Sequence, residues 1–188
     1  HTVHDMALLH PMGLRIWKQE NIFMQKNPLV SFYSWCCKKL FGSPDVVISP
    51  SHFLLNEYRS RGFFPKSKTA VVSNPVMIEP VPNVPTVPKA PKSPQFRFLY
   101  LGQLEPYKGL RFLLNVWRTF SAAHPEAELT IAGEGSMKEE VIQAASSMAR
   151  VQYMGFVPHD MLEKVFGGAR FTLIPSLAYE NSPTTIGE

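Results

Sequence analysis

The sequence predicts an α/β protein made of two Rossmann-like lobes with parallel sheets. Three observations predict it. Short apolar strands alternate with amphipathic helical segments on both sides of residue 80, as right-handed crossovers in a parallel sheet require. A proline-rich stretch separates the two runs: seven of the twenty residues from Pro75 to Pro94 are proline, which gives a stiff, extended segment unfit for the centre of a sheet. The final residues read as strand, loop and helix start, the unit that builds the ligand-facing edge of a doubly wound sheet.

In chain order, residues 1–5 are expected to end a strand, and residues 12–23 to form a loop with a short helix. Asn27-Pro28 supplies an N-cap and a first-turn proline for a helix to about Phe41, with Leu29, Phe32, Tyr33, Cys36 and Leu40 on one face; Gly42-Ser43-Pro44 ends it. Residues 45–49 are a short buried strand. Ser51 caps a helix through Leu54, Leu55 and Tyr58 that Gly62 ends, and residues 69–72 are the next strand. The first lobe thus spans 1–80, the linker 81–94 and the second lobe 95–188; a proline-rich ligand for another protein's groove is the other reading of the linker. In the second lobe, residues 96–101 are a strand and 109–120 a helix carrying Leu110, Leu113, Leu114 and Trp117. Residues 129–132 are a strand, and Ser136-Met137-Lys138-Glu139 is a capping box for the following helix. Strand 151–154, helix 160–166 and a buried fourth strand over 171–174 complete the pattern.

The composition narrows the chemistry. A chain of 188 residues with 45% apolar content is one or two ordinary globular domains. Nineteen Lys and Arg against fifteen Asp and Glu make it mildly basic, which suits nucleotides or a membrane surface; no nucleic-acid partner is expected. The only cysteines, Cys36 and Cys37, are neighbours, so no disulfide framework is expected and a reducing compartment, the cytoplasm, fits. No apolar run approaches the length of a membrane span, and no signal-peptide pattern opens the sequence.

Ligands of doubly wound sheets sit at the carboxyl ends of the strands. The loops expected there are residues 102–109, 133–136, 155–158 and 179–182. Lys108 stands where a helix begins and opposes its dipole, so it wants an anion, or else is a solvated surface lysine. Ser182-Pro183 is a cap and first-turn proline, and the amides of Ser182 to Thr185 would attract phosphate. Glu180 precedes them and Glu188 follows two turns later; carboxylates repel phosphate but accept from hydroxyls. A nucleotide sugar carries both kinds of group, whereas a solvated pair of acids at a helix start is the plainer reading. Gly133-Glu134-Gly135-Ser136 lacks the third glycine of a dinucleotide fingerprint, and Phe156 is either core or a base contact. With three aspartates, Asp5, Asp45 and Asp160, and no D-x-D, no metal site is expected; charge neutralisation falls to Lys108 and helix-end amides. His4 either faces the cleft or is structurally bonded, Asp5 orients it or caps the next turn, and His10 reads as structural. Between Arg15 and Lys39, Arg15, Lys18, Lys26, Lys38 and Lys39 stand against Glu20, with Trp17, Phe23, Phe32, Tyr33 and Trp35 interleaved. This is a peripheral membrane surface, or a core-facing stripe backed by solvated lysines.

Three segments carry a family resemblance. P-S-L-A-Y-E-N-S-P-T-T-I-G-E resembles the E-x7-E signature of retaining glycosyltransferases of family 4, which have the GT-B fold. G-Q-L-E-P-Y-K-G resembles that family's G-R-L-x-x-x-K-G loop, and H-T-V-H-D its T-x-H-D segment. The resemblance covers nearly the whole chain and implies the second half of an acceptor lobe followed by the first two thirds of a donor lobe. Both lobes are then incomplete and the chain a fragment: it opens on His1 without an initiator Met, stops on Glu188 inside an expected helix, and is expected to transfer no sugar alone. The implied reaction moves a hexosyl group from a nucleotide-sugar donor to an acceptor with retention, in cell-surface polysaccharide or glycolipid synthesis. It needs no metal and no cofactor. The implied catalytic residues are His4, Lys108 and Glu180. Donor contacts fall to Gly102, Gln103, Lys108, Gly133, Gly135, Phe156, Asn181, Ser182, Thr184, Thr185 and Glu188, with Glu188 on the ribose and Glu180 on the sugar hydroxyls. Gln103 departs from the family's Arg and supplies donors without charge. The implied location is the cytoplasm or the cytoplasmic face of a membrane. A nucleotide-sugar epimerase of the same fold and a non-catalytic nucleotide-binding lobe, the latter favoured by Gln103, are the other two readings.

Overall fold

The structure, a computed structural model, describes residues 1–14, 27–74 and 96–179. The chain divides into two compact units, His1–Val76 with Leu177–Gly187, and Met77–Ser176 with Glu188.

The first unit contains α1 (Pro28–Phe41), β1 (Val46–Ser49), α2 (His52–Ser60) and β2 (Lys68–Val71). Both helices start as their caps dictate: the Asn27 side chain accepts from the Leu29 amide at 3.0 Å, and the Ser51 hydroxyl from the Leu54 amide at 3.2 Å. β1 and β2 pair in parallel, Val46 opposite Lys68 through Ser49 opposite Val71. Thr2 makes one parallel bridge to Ile48, which is the form the expected strand end takes. Val3, Met6, Leu9, Cys37, Val47, Leu54, Leu55, Tyr58, Phe63 and Phe64 form the core.

The inward face of α1 is not the one read from the sequence. Val30 and Cys37 are buried, whereas Leu29, Phe32 and Leu40 are 75, 64 and 84% exposed. Two polar anchors set the rotation. The Tyr33 hydroxyl donates to the Ala7 carbonyl at 2.8 Å, and Lys38 Nζ to the Arg61 carbonyl at 3.2 Å. At 100° per residue these two side chains flank the Val30–Cys37 line, so the helix cannot roll toward Leu29 without breaking them.

The second unit contains β3 (Arg97–Leu101), α3 (Leu110–Ala123), β4 (Glu128–Ala132), α4 (Lys138–Ser147), β5 (Val151–Gly155), α5 (Leu162–Gly168) and β6 (Phe171–Thr172), with 3₁₀ turns at Pro106–Lys108 and His159–Met161. Its sheet is all parallel in the order β5-β4-β3-β6. The direction of travel reverses between β3 and β6, which makes the carboxyl ends of these strands the topological switch point. Leu110, Leu113, Leu114 and Trp117 form the buried stripe of α3, as their spacing predicts, and pack with Leu129, Ile131 and Val141. Each such leucine stabilises by about 1.5–3 kcal/mol relative to exposure. The Trp117 ring meets the Phe98 ring edge-on at 5.4 Å.

Three expectations are corrected in this unit. β6 is a two-residue strand rather than a buried one over 171–174, with Phe171 41% and Ile174 44% exposed. It pairs with β3 alone among the described residues. The capping box at 136–139 does not form either: Met137 is the N-cap of α4, without a side-chain bond, because Ser136 is engaged elsewhere. α5 begins at Leu162, after a 3₁₀ turn at 159–161 that occupies the expected first turn.

Candidate functional site

The loops after β3, β4 and β5 are joined to one another through backbone bonds. The Gly102 amide donates to the Ala132 carbonyl at 3.1 Å, and the Gly133 amide to the Gly155 carbonyl at 2.7 Å. The Leu104 amide donates to the Glu134 carbonyl and the Met137 amide to the Leu104 carbonyl, both at 2.9 Å. Two glycines make this closeness possible. A Cβ on Gly133 (φ 134°) would run into the Gly102 carbonyl, and one on Gly109 (φ 78°), the N-cap of α3, into the Pro175 carbonyl that follows β6. Gly109 thus brings the β3 loop against the backbone beyond β6, at the switch point.

Side chains then fix the loops. The Tyr100 hydroxyl donates to the Gln103 carbonyl at 2.7 Å, and the Tyr107 hydroxyl to Gln103 Oε1 at 2.9 Å. The carboxamide oxygen is therefore turned to Tyr107, and its NH₂ is the face presented away from it. Lys108 ends the 3₁₀ turn, its Nζ 5.7 Å from the Tyr107 ring centre. Glu105 accepts from the Ser136 hydroxyl at 2.7 Å and the Ser136 amide at 2.9 Å, and these two bonds hold its carboxyl below the ordinary value of 4.5. A carboxyl depressed in the folded chain contributes above its unfolded value and loses that contribution as pH falls through the folded one, so the contact is intact at neutral pH. Glu134 accepts from Lys138 Nζ at 3.0 Å and from the Tyr153 hydroxyl at 3.2 Å. That contact raises the lysine's pKa; the Tyr153 phenol is raised first by burial, then by the Glu134 charge.

The structure therefore brings Gly102, Gln103, Lys108, Gly133 and Gly135 to one sheet edge, with Phe156 directly after β5. Phe156 is 70% exposed, so it is not a core residue. His4 lies in the first unit, exposed, in a loop pinned by Tyr58, whose hydroxyl donates to the Asp5 carbonyl at 2.8 Å and accepts from the Leu8 amide at 3.3 Å. Burial pushes the Tyr58 phenol up. Asp5 caps the turn, its Oδ1 accepting from the Ala7 amide at 2.8 Å. His10 is buried, with Nδ1 accepting from the Met12 amide at 3.2 Å, a structural role as expected. Glu180, Asn181, Ser182, Thr184, Thr185 and Glu188 lie outside the described residues, as do the linker 81–94 and Arg15, Trp17, Lys18, Glu20, Phe23 and Lys26. Among the described residues no group of three or more His, Cys, Asp or Glu could hold a metal, and no helix is long and apolar enough to cross a membrane.

Glu105, Tyr107 and Tyr153 escaped the sequence reading. Glu105 and Tyr107 stand inside the loop it singled out, between Gln103 and Lys108. The available signal was an acidic side chain in one carboxyl-end loop and a serine at a helix start in the next.

A family model described as "Glycosyl transferases group 1" matches residues 95–188, half of the chain. A curated relative, an uncharacterized glycosyltransferase of Methanocaldococcus jannaschii, is 32% identical over 82 residues, which are 42% of this chain and 21% of the relative. Among solved structures, a sucrose-phosphate synthase from Thermosynechococcus elongatus superposes with a TM-score of 0.61 at 16% identity over 98% of this chain and 46% of its own. TarM from S. aureus gives 0.56 at 15% identity over 82% of this chain and 30% of its own. The lipopolysaccharide outer core galactosyltransferase WaaB gives 0.55 at 21% identity over 85% and 51%. These neighbours are GT-B glycosyltransferases, and the parallel α/β fold here is of that kind. The chain spans about a fifth of its curated relative and at most about half of these solved chains.

Proposed function

The chain belongs to the glycosyl transferases of group 1, and from that premise we propose that it carries the donor floor of a retaining, metal-independent transferase acting on a nucleotide sugar, of the family 4 type. The observation that carries the reading is the joining of the 102–109, 133–136 and 155–156 loops at the carboxyl end of the sheet, with the Lys108 loop reaching the switch point between β3 and β6. The proposed division of labour follows from chemistry. Lys108 and the Gln103 amide meet the diphosphate, the exposed Phe156 ring stacks on the base, and Gly102, Gly133 and Gly135 offer backbone groups to the ligand, the missing Cβ atoms of Gly133 and Gly135 making room for the neighbouring loop. Glu180 and Glu188 accept from sugar and ribose hydroxyls, Asn181, Ser182, Thr184 and Thr185 cradle phosphate, and His4 meets the sugar. Calorimetry with a panel of nucleoside diphosphates and their sugars tests it: at least one is expected to bind, and a panel without binding would overturn it. Binding by the full-length parent with no transfer to any acceptor would favour the non-catalytic lobe instead, and isomerised donor the epimerase. Gln103→Arg is expected to tighten the nucleoside diphosphate about tenfold, because a forked cation grips phosphate better than an amide. An unchanged Kd would mean that another residue already fills that place.

We further propose a peripheral contact with an anionic membrane, at the cytoplasmic face, for an enzyme of cell-surface polysaccharide or glycolipid synthesis. Its support is α1, which exposes Leu29, Phe32, Trp35 and Leu40 with Lys39 among them, holds Lys38 at the border of that face through the Arg61 carbonyl, and has no acid. Trp35 stacks on Phe32 at 6.0 Å, so its share of the emission from the three indoles of the chain reports on that face. Anionic vesicles are expected to blue-shift the emission and neutral vesicles to leave it unchanged, with the shift lost in Trp35→Ala. No difference between the two lipid compositions would remove the proposal.

A further inference from the structure

We infer that Glu105 is a positioning residue: its carboxylate clips the loop after β3 to the start of α4, and so sets the turn that carries Lys108. The inference rests on the reading of these loops as the donor floor. Glu105 is extended (φ −117°, ψ 149°) and opens the Pro106–Lys108 turn without capping it through its side chain. Its carboxylate instead crosses to the next loop and takes both donors of Ser136, the hydroxyl at 2.7 Å and the amide at 2.9 Å. The backbone of the same residue closes the turn, the Lys108 amide donating to the Glu105 carbonyl at 3.0 Å. One residue therefore holds Lys108 by its main chain and the 133–136 loop by its side chain. Ser136 does not cap α4 but precedes its N-cap Met137, so the Glu105 carboxylate lies just before the start of α4, where a negative charge is favoured by the dipole, while the Leu104 carbonyl accepts from the Met137 amide. Charge-assisted bonds of this length are the stronger kind, and two of them on one carboxylate fix its rotamer.

The sign of the effect separates this role from a purely electrostatic one. A carboxylate three residues from Lys108 repels phosphate, so by charge alone its loss would tighten an anionic ligand. A positioning role predicts the reverse. The test uses the full chain, with the tightest nucleoside diphosphate of the panel as probe and with hydrogen exchange at the Ser136 amide. Glu105→Ala is expected to bind at least about tenfold more weakly than wild type and to exchange the Ser136 amide at least about tenfold faster. Glu105→Gln keeps one oxygen to accept from the Ser136 amide and turns its NH₂ to the Ser136 hydroxyl, which can accept from it, and is expected to recover most of each loss; Ser136→Ala, which keeps the amide, is expected to fall between. Binding by Glu105→Ala equal to or tighter than wild type would overturn the inference, as would a Ser136 amide that exchanges no faster. If wild type binds nothing in the panel, the functional reading falls and the role in binding falls with it. The exchange rates then decide the clip alone: a faster Ser136 amide in Glu105→Ala supports it, an unchanged one overturns it.

Discussion

Lys108→Ala in the full-length parent is expected to reduce transfer by about 3 kcal/mol in transition-state free energy, the size of losing one preorganised charge stabiliser from a departing phosphate. The lysine ends a 3₁₀ turn whose backbone is closed onto Glu105 and whose next residue, Gly109, abuts Pro175. Its backbone is therefore held near the switch point before any ligand arrives. The effect should appear in kcat/KM where transfer is assayed, and in the Kd for the nucleoside diphosphate. Values within about threefold of wild type would remove Lys108 from the role. Lys108→Arg separates charge from shape: it keeps the cation but needs more room for a planar fork.

The second large effect is on stability. Gly109→Ala is expected to destabilise the second unit by about 3 kcal/mol or more. A left-handed residue with a side chain costs about 1–3 kcal/mol, and forcing a Cβ into a packed backbone adds about 1–3 kcal/mol. The clash is with the Pro175 carbonyl, which is backbone and cannot rotate aside as a long side chain would. Denaturant unfolding followed by the emission of Trp117, buried on the inner face of α3, in a chain with Trp17 and Trp35 replaced by Phe, would read it. Gly167→Ala is the control: φ there is not positive and nothing lies within 4 Å of the added carbon. A Gly109→Ala variant as stable as that control would show that the α3 start tolerates other geometries.

Much of the fold was legible because local signals agreed. Asn27, Ser51 and the leucine stripe of α3 each specify an element without help from distant residues. The inward face of α1 was not legible, because apolar spacing alone cannot say which of two adjacent stripes a tyrosine hydroxyl and a lysine will anchor from far along the chain. β6 read as buried because its residues are apolar, yet burial also depends on having a neighbour on each side. At the site, the glycines, Gln103 and Lys108 stood out by type and position. Glu105 did not, since its partner is thirty-one residues away and serine at 136 has a local use that the pattern favours.

The backbone bonds that tie Gly102, Leu104, Gly133 and Met137 together have a kinetic consequence. Ordering a loop on binding would cost about 1–2 kcal/mol per residue in lost backbone freedom. Here that loss belongs to folding, because the loop amides are bonded to neighbouring strands and loops. An arriving ligand meets a surface with little entropy left to surrender. Association with this floor should then be a single exponential phase linear in ligand concentration, without a slow isomerisation plateau, and affinities across related ligands should differ mainly in how fast each one leaves.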